Sequence, residues 1–133
     1  MSQIGPTGRA TIYVCVTCRL ASDAKDAPCP GAALADATAS AAACATDPEV
    51  TVQRVRCLAN CSRGPSAAIR CDNAWSYVFG GLDPLQDGPS LVTGAQLLSA
   101  ATDGIMPWRG RPNCLKRGLI ARMPPLDFSE VSS

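Results

Sequence analysis

The chain has 133 residues, of which 47% are hydrophobic, and a formal net charge of +1. It is therefore long enough for one domain with its own core, and its charge gives no argument for general affinity to nucleic acids or membranes. Eight cysteines and no histidine are present, which excludes His-ligated zinc sites, Rieske-type clusters and catalysis by a histidine base or a Cys–His pair.

The N-terminal residues 1–9 are polar and lack the apolar stretch that follows the basic start of a secretory signal. No run of about 18 apolar residues, the length that would span a membrane, is present either. We therefore expect a cytoplasmic protein, in which thiols stay reduced. Eight cysteines in such a protein favour metal binding or redox chemistry over a disulfide framework.

The first predicted elements form a strand–helix–strand unit. After a flexible lead-in over residues 1–10, residues 11–17 are nearly continuous in β-branched and aromatic residues, which predicts a strand buried on both faces. Residues 32–45 are dense in alanine and predict a helix. Residues 50–56 predict a second strand, so both strands run directly into cysteine-containing loops.

A hairpin and a second helix are predicted next. Residues 66–71 and 75–79 are strand-like runs on either side of turn-forming residues, and the alternating aromatic residues of the second run predict a core-facing side. Apolar spacing over residues 91–103 predicts an amphipathic helix. The order of elements predicts an α/β (α+β) domain over residues 11–103, with about four strands in a mixed sheet and two packed helices.

After residue 104 the chain becomes rich in Pro and Arg, which predicts an irregular C-terminal arm over residues 104–133 with one short helix near 113–118. This segment holds five basic residues in a stretch without acidic ones, and they are Arg109, Arg111, Lys116, Arg117 and Arg122. Trp108 next to these charges is typical of an interface anchor. A redox partner with an acidic docking surface would match them electrostatically.

Two pairs of cysteines have the spacing of metal ligands, and each pair follows a predicted strand. Cys15 and Cys18 form a C-x2-C pair, and Cys57 and Cys61 form a C-x3-C pair. Four thiolates brought together from two strand ends make a soft, roughly tetrahedral site that suits zinc or an iron–sulfur cluster. We therefore predict one metal centre shared by the two pairs.

The other cysteines leave one alternative open. Cys29 lies in the loop before the first predicted helix, so it competes with Cys18 for the fourth ligand position. For Cys44, Cys71 and Cys114 we expect the ordinary role of free cysteine as a small buried hydrophobic residue.

The order of the elements, together with Cys15 on the first strand and Cys57-x3-Cys61 followed by Gly64-Pro65 and a hairpin, resembles the thioredoxin-like 2Fe–2S ferredoxins. The small iron–sulfur subunit at the flavin end of respiratory complex I has the same pattern. The resemblance implies a thioredoxin-like fold, a 2Fe–2S cluster, one-electron transfer and a homodimer. In that group the second ligand lies in the loop or helix start after the first strand, which implies Cys29.

Over nearly its whole length the chain is also similar to a bacterial family of predicted metal-binding proteins, described as ferredoxin-like and often encoded beside cobalamin-biosynthesis genes. The matching stretches are residues 13–18, 57–63, 75–80, 106–112 and 118–125. That family has C-x2-C where the ferredoxins have a longer spacing, which implies Cys18 as the fourth ligand. The two resemblances disagree on this position, and Cys18 and Cys29 both remain candidates.

Three functions fit these observations. The first is a ferredoxin-like electron carrier, for which the family resemblance implies a link to cobalamin or cobalt metabolism. The second is a thiol–disulfide oxidoreductase using Cys15 and Cys18, although a thioredoxin pair opens a helix and a loop intervenes here. The third is a zinc-binding or metal-trafficking protein. Since no phosphate loop or catalytic constellation is visible, we expect an electron-transfer or metal-binding protein rather than an enzyme.

Overall fold

The computed structural model describes residues 10–16, 30–44, 50–55, 65–71, 74–101 and 104–125. Its elements in chain order are β1 (Ala10–Cys15), α1 (Pro30–Ala43), β2 (Val50–Val55), β3 (Ala67–Arg70), β4 (Ser76–Phe79), α2 (Gly88–Ala100), α3 (Asn113–Arg117) and β5 (Leu119–Met123). The strand–helix–strand unit, the hairpin and the second long helix predicted from the sequence are therefore confirmed. Within the described part of the chain, no helix is both long and apolar enough to cross a membrane.

The strands form one five-stranded mixed sheet with the order β2-β1-β3-β4-β5. β1 pairs in parallel with β2 and antiparallel with β3, and the remaining neighbours are antiparallel. The helices α1 and α2 pack on the face that carries Ile12, Ile69 and Tyr77, and these side chains form the core together with Leu34 and Leu91. The predicted mixed α/β class is thus confirmed.

Small residues set the distance between the two long helices. A Cβ atom added at Gly88, the first residue of α2, would lie only 2.8 Å from the backbone of Ala37 and Thr38 in α1. Large side chains at this crossing would separate the helices, because packed interiors leave no room for added volume. The many alanines of α1 therefore allow the close approach of α2 as well as favouring the helix.

The C-terminal segment differs from the sequence prediction. The expected short helix near 113–118 is present as α3, but the arm is not irregular beyond it, because β5 pairs antiparallel with β4 and adds a fifth strand. Without β5, the backbone of β4 would be left at an unpaired sheet edge. The domain boundaries at residues 10 and 104 remain a prediction, and residues 1–9 lie outside the described ones.

Candidate metal centre at the strand ends

Three segments of the sheet meet at Cys15. This cysteine is the last residue of β1, and its Cα partner across the parallel pair is Val55, the last residue of β2. The N–H of Val16 donates a hydrogen bond of 2.9 Å to the carbonyl of Val55, and the N–H of Cys15 donates one of 3.1 Å to the carbonyl of Ser66. The ends of β1 and β2 and the entry to β3 are therefore fixed around one thiol.

The thiol of Cys15 is buried, but it does not belong to the helix-covered core. Its residue is 1% exposed, and the core between the sheet and the helices contains Ile12 and Val14 but not Cys15. Since successive side chains of a strand point to opposite faces, Cys15 lies on the face opposite Val14. A thiol in this position is shielded from water at the edge of the sheet where the two parallel strands end.

The other four candidate ligands, Cys18, Cys29, Cys57 and Cys61, lie outside the described residues. They belong to the stretches 17–29 and 56–64, which are bounded by described residues on both sides. In a parallel strand–helix–strand unit the helix runs back along the sheet and starts where the first strand ends. Val16, Val55 and Pro65, which bound the two stretches, lie at the edge of the sheet at Cys15. The crossover rule predicts the same side of the sheet for Pro30, the first residue of α1.

The backbone next to Cys15 is held on more than one side. Pro65 is fully buried, and its carbonyl accepts a hydrogen bond of 3.2 Å from the N–H of Leu82. The entry to β3 is therefore anchored both to β1 and to the loop before α2. Ser66 contributes to this arrangement through its backbone carbonyl, which every residue has. The sequence therefore does not indicate this role, and Ser66 was not among the predicted site residues.

The chemistry of the donor set fits a thiolate-ligated group. Among the described residues no group of three or more Cys, His, Asp or Glu side chains could hold a metal ion, so a centre here needs ligands from the two undescribed stretches. Those stretches contain four cysteines, and the chain has no histidine. Thiolates are the ligands that zinc and iron–sulfur clusters prefer.

The cysteines expected to be ordinary buried residues divide into two groups. Cys71 is buried in the core and Cys114 is half-buried against it, as predicted. Cys44 is exposed just beyond the end of α1, so the prediction was wrong for this residue, because it follows the last helical turn instead of facing the sheet. Neither these three nor Cys15 forms a disulfide with another described cysteine.

The comparisons with known proteins agree with the fold. The model of a family described as "Protein of unknown function (DUF1636)" matches residues 12–125, whereas no curated protein matches the chain. A thioredoxin-like [2Fe-2S] ferredoxin from Aquifex aeolicus is similar with a TM-score of 0.54 and 18% identity, covering 91% of this chain and 99% of that one. A structure of the wild type of such a ferredoxin from the same organism has a TM-score of 0.56 and 15% identity, with 86% and 98% covered. The fold is therefore thioredoxin-like.

Proposed function

This chain belongs to the DUF1636 family, and we propose that it is a ferredoxin-like one-electron carrier with a 2Fe–2S cluster. Cys15, Cys57, Cys61 and either Cys18 or Cys29 hold the cluster. A bound cluster of this kind supplies a one-electron redox couple. The role of the protein is to hold the thiolates together and to keep water away from them.

The observation that carries the proposal is the position of Cys15, 1% exposed at the end of β1 and directly opposite the last residue of β2. Neighbouring strands lie about 4.8 Å apart. Cys57 follows Val55 by two residues, a length of chain that spans at most about 7 Å. The C-x3-C pair therefore has the reach to meet the thiolate of Cys15 at one centre.

The hydrogen bonds around Cys15 also support a ligand role. The bonds from Cys15 to Ser66 and from Val16 to Val55 fix the backbone on both sides of its Cα atom. A ligand held in this way loses little conformational freedom when it binds, which favours binding. The fold of the Aquifex aeolicus ferredoxins supports the same interpretation, although at 18% and 15% identity the likeness concerns the fold alone.

A thiol–disulfide oxidoreductase is less well supported. A redox-active thiol of that class is accessible and lies at the start of a helix, where the helix dipole favours the thiolate. Cys15 is 1% exposed, lies within a strand, and is separated by 14 residues of sequence from Pro30, where α1 begins. A zinc-binding or metal-trafficking protein would use the same thiolates, so metal analysis distinguishes it.

The proposed function also includes a cellular location and a metabolic role. We place the protein in the cytoplasm, where a reducing environment keeps the thiols available as ligands. We also propose a link to cobalamin or cobalt metabolism, which the family resemblance supports. Transfer of an electron from the reduced protein to a cobalt corrin in an anaerobic mixture would test this link, and no transfer at any protein concentration would argue against it.

The test of cluster binding is to purify the full chain without oxygen, record its visible absorption spectrum and measure iron, acid-labile sulfide and zinc. We expect red-brown protein with about two irons and two sulfides per chain. Cys15→Ser should remove most of the colour, whereas Cys44→Ser, a change at an exposed cysteine outside the site, should retain it. Colourless protein with about one zinc per chain would contradict the electron-carrier function and support the zinc-binding one.

A further inference from the structure

The surface around Trp108 combines positive charge with exposed apolar area. The Trp108 side chain belongs to a residue that is 60% exposed. The guanidinium carbon of Arg111 lies 5.1 Å from the centroid of its ring, and the ammonium nitrogen of Lys116 lies 4.9 Å from it. We call these three side chains the Trp108 platform. Two cations against one ring restrict its motion, so the exposed indole is presented in a defined orientation.

Arg111 anchors the platform to the body of the protein. Its Nε donates a hydrogen bond of 3.3 Å to the carbonyl of Pro107, and its Nη2 donates one of 2.5 Å to the carbonyl of Met106. Burial lowers the pKa of Arg111, Arg122 adds to the lowering and Tyr77 opposes it, but a guanidinium stays charged at neutral pH. Among the described residues its hydrogen bonds go to carbonyl groups and not to a carboxylate. Because Arg111 is only 8% exposed, it contributes positive potential to this surface and does not contact a group from outside directly.

A groove adjoins the platform. This cavity of about 490 Å³ is lined by Trp108, Arg111 and five apolar residues, which are Ala100, Ala101, Ile105, Met106 and Pro107. Residues 104–125 contain five basic residues and no acidic one. A groove with apolar walls and a positively charged rim is complementary to an apolar side chain flanked by carboxylates.

We propose that the Trp108 platform and its groove bind an acidic segment of a partner protein. An aliphatic or aromatic side chain of that segment enters the groove, and the neighbouring Asp or Glu carboxylates face Arg109 and Lys116, which are exposed and half-buried. The buried Arg111 adds to the positive potential at that position. Charge complementarity identifies the class of partner, because this surface repels basic segments and attracts acidic ones. Tryptophan and arginine are also the residue types that contribute most to binding energy at protein interfaces.

The platform lies away from the strand ends. The guanidinium carbon of Arg111 is 5.6 Å from the centroid of the Tyr77 ring, and the register places Tyr77 on the same face of the sheet as Ile69 and Ile12. Cys15 follows Ile12 by three residues and so lies on the other face, about 10 Å further along the strand. The platform therefore does not include the end of β1 where the buried Cys15 lies, and we assign this surface the role of anchoring a partner and not of electron transfer. The proposal is independent of cluster binding.

The test uses the full chain labelled with 15N and an N-acetylated peptide of sequence Glu-Glu-Leu-Glu-Glu as the probe. We expect the indole N–H signal of Trp108 to shift in a saturable way, whereas that of Trp75 stays in place. Lys116→Glu should weaken binding at least tenfold. Arg70→Glu is the matched control, because it changes the net charge equally at an exposed residue at the end of β3; it should weaken binding less than threefold.

The apolar part of the proposal is tested separately. Trp108→Ala and a Glu-Glu-Ala-Glu-Glu peptide should each weaken binding at least fivefold, and the thermal unfolding of the variant should show that the fold is retained. Equal binding of the two peptides, or equal losses in Lys116→Glu and Arg70→Glu, would overturn the proposal in favour of unspecific charge attraction. Binding of the probe only after removal of residues 126–133 would also overturn the proposal, since the C-terminal residues of the chain itself would then occupy the groove. A molecular mass in solution that halves in Trp108→Ala would show that a second copy is the occupant.

Discussion

The backbone N–H of Met106 donates a hydrogen bond of 2.9 Å to the hydroxyl of Tyr77, and both residues are 1% exposed. This bond connects the segment after α2 to the middle of β4, across a sequence separation that no local pattern indicates. Met106 also presents its carbonyl to Arg111. One buried tyrosine therefore helps to determine where the groove and the Trp108 platform lie.

Tyr77→Phe should destabilise the protein, because it removes the acceptor of a buried N–H and leaves the ring in place. We expect a loss of about 1–3 kcal/mol in the free energy of unfolding, the cost of an unsatisfied buried donor. Urea unfolding of protein prepared in the same metal state measures it. Tyr13→Phe, at a half-buried tyrosine of β1, should change stability by less than about 0.5 kcal/mol. Equal effects of the two changes would show that the bond to Met106 contributes nothing specific.

Gly118→Ala tests the junction between α3 and β5. An added Cβ atom would lie 2.6 Å from the carbonyl oxygen of Cys114 and 2.7 Å from that of Gly80, and backbone atoms cannot move aside without shifting the sheet. We expect a loss of about 1–3 kcal/mol, as for overpacked sites. At Gly94 in α2 the atom in the way is the end of the Leu115 side chain, which can change rotamer. Gly94→Ala, which also gains helix propensity, should therefore lower the melting temperature less than Gly118→Ala.

Local patterns were sufficient for much of the fold. β1 could be predicted because four of its six residues are β-branched or aromatic, and the hairpin because two strand-like runs flank turn-forming residues and the second run has alternating aromatic residues. In agreement with that pattern, Tyr77 and Phe79 are 1% and 0% exposed. These signals depend on neighbours in sequence, so they are visible without knowledge of the fold.

β5 could not be predicted in the same way. Most of its residues are exposed and it includes Arg122 and Met123, so an alternating pattern is weak. β5 is held in place by pairing with the edge of β4, and that edge exists only once the sheet has folded, so the local sequence does not indicate it. Arg122 also packs against the ring of Trp75, with 4.4 Å between the guanidinium carbon and the ring centroid. In the sequence alone, nothing distinguishes a charged residue that covers an aromatic ring, here one just before the neighbouring strand β4, from a loop residue.

The candidate site was visible in part. Cysteine spacing after two predicted strands identified the edge at which Cys15 and Val55 meet, because parallel strands bring their ends together. The sequence could not show that Ser66 fixes Cys15 through a backbone bond, since any residue has a carbonyl. The basic neighbours of Trp108 led to the prediction of an interface anchor, which stays a prediction. The groove beside it could not be predicted, because it is formed by residues from the end of α2 and the segment that follows.

The fourth ligand can be assigned by two single substitutions. One of Cys18→Ser and Cys29→Ser should abolish the visible absorption and lower the iron content, whereas the other should leave both unchanged. The reason is that a site with four thiolate positions already includes Cys15, Cys57 and Cys61 in our proposal, and so has room for only one of the two. Absorption spectra and iron analysis of both variants, prepared without oxygen beside Cys44→Ser, give the answer. Full colour in both variants would contradict the proposed ligand set.

The pH dependence of stability should contain a contribution from Cys114. Burial raises the pKa of its thiol, and Asp87 acts in the same direction against a hydrogen bond with Ser90. A folded-state pKa above the unfolded value favours the protonated thiol, so this stabilisation is present at neutral pH and is lost as the pH rises above the ordinary range of a thiol. Wild type should therefore lose stability more steeply than Cys114→Ala in urea unfolding between about pH 8 and 10. Parallel curves for the two proteins would show that this thiol does not contribute.

Arg111→Lys tests whether the Trp108 platform and the proposed metal centre at Cys15 are independent of each other. Lysine keeps the charge but cannot make the paired hydrogen bonds to Met106 and Pro107 or stack as a plane against the ring of Trp108. We expect a loss of about 1–2 kcal/mol in the free energy of unfolding and a more mobile indole in 15N relaxation measurements. Arg122→Lys, an exposed arginine stacked on Trp75, should cost less. Because Cys15 lies on the other face of the sheet, both variants should have the visible spectrum of the wild type. A changed spectrum in Arg111→Lys alone would show that the platform and the metal centre are coupled.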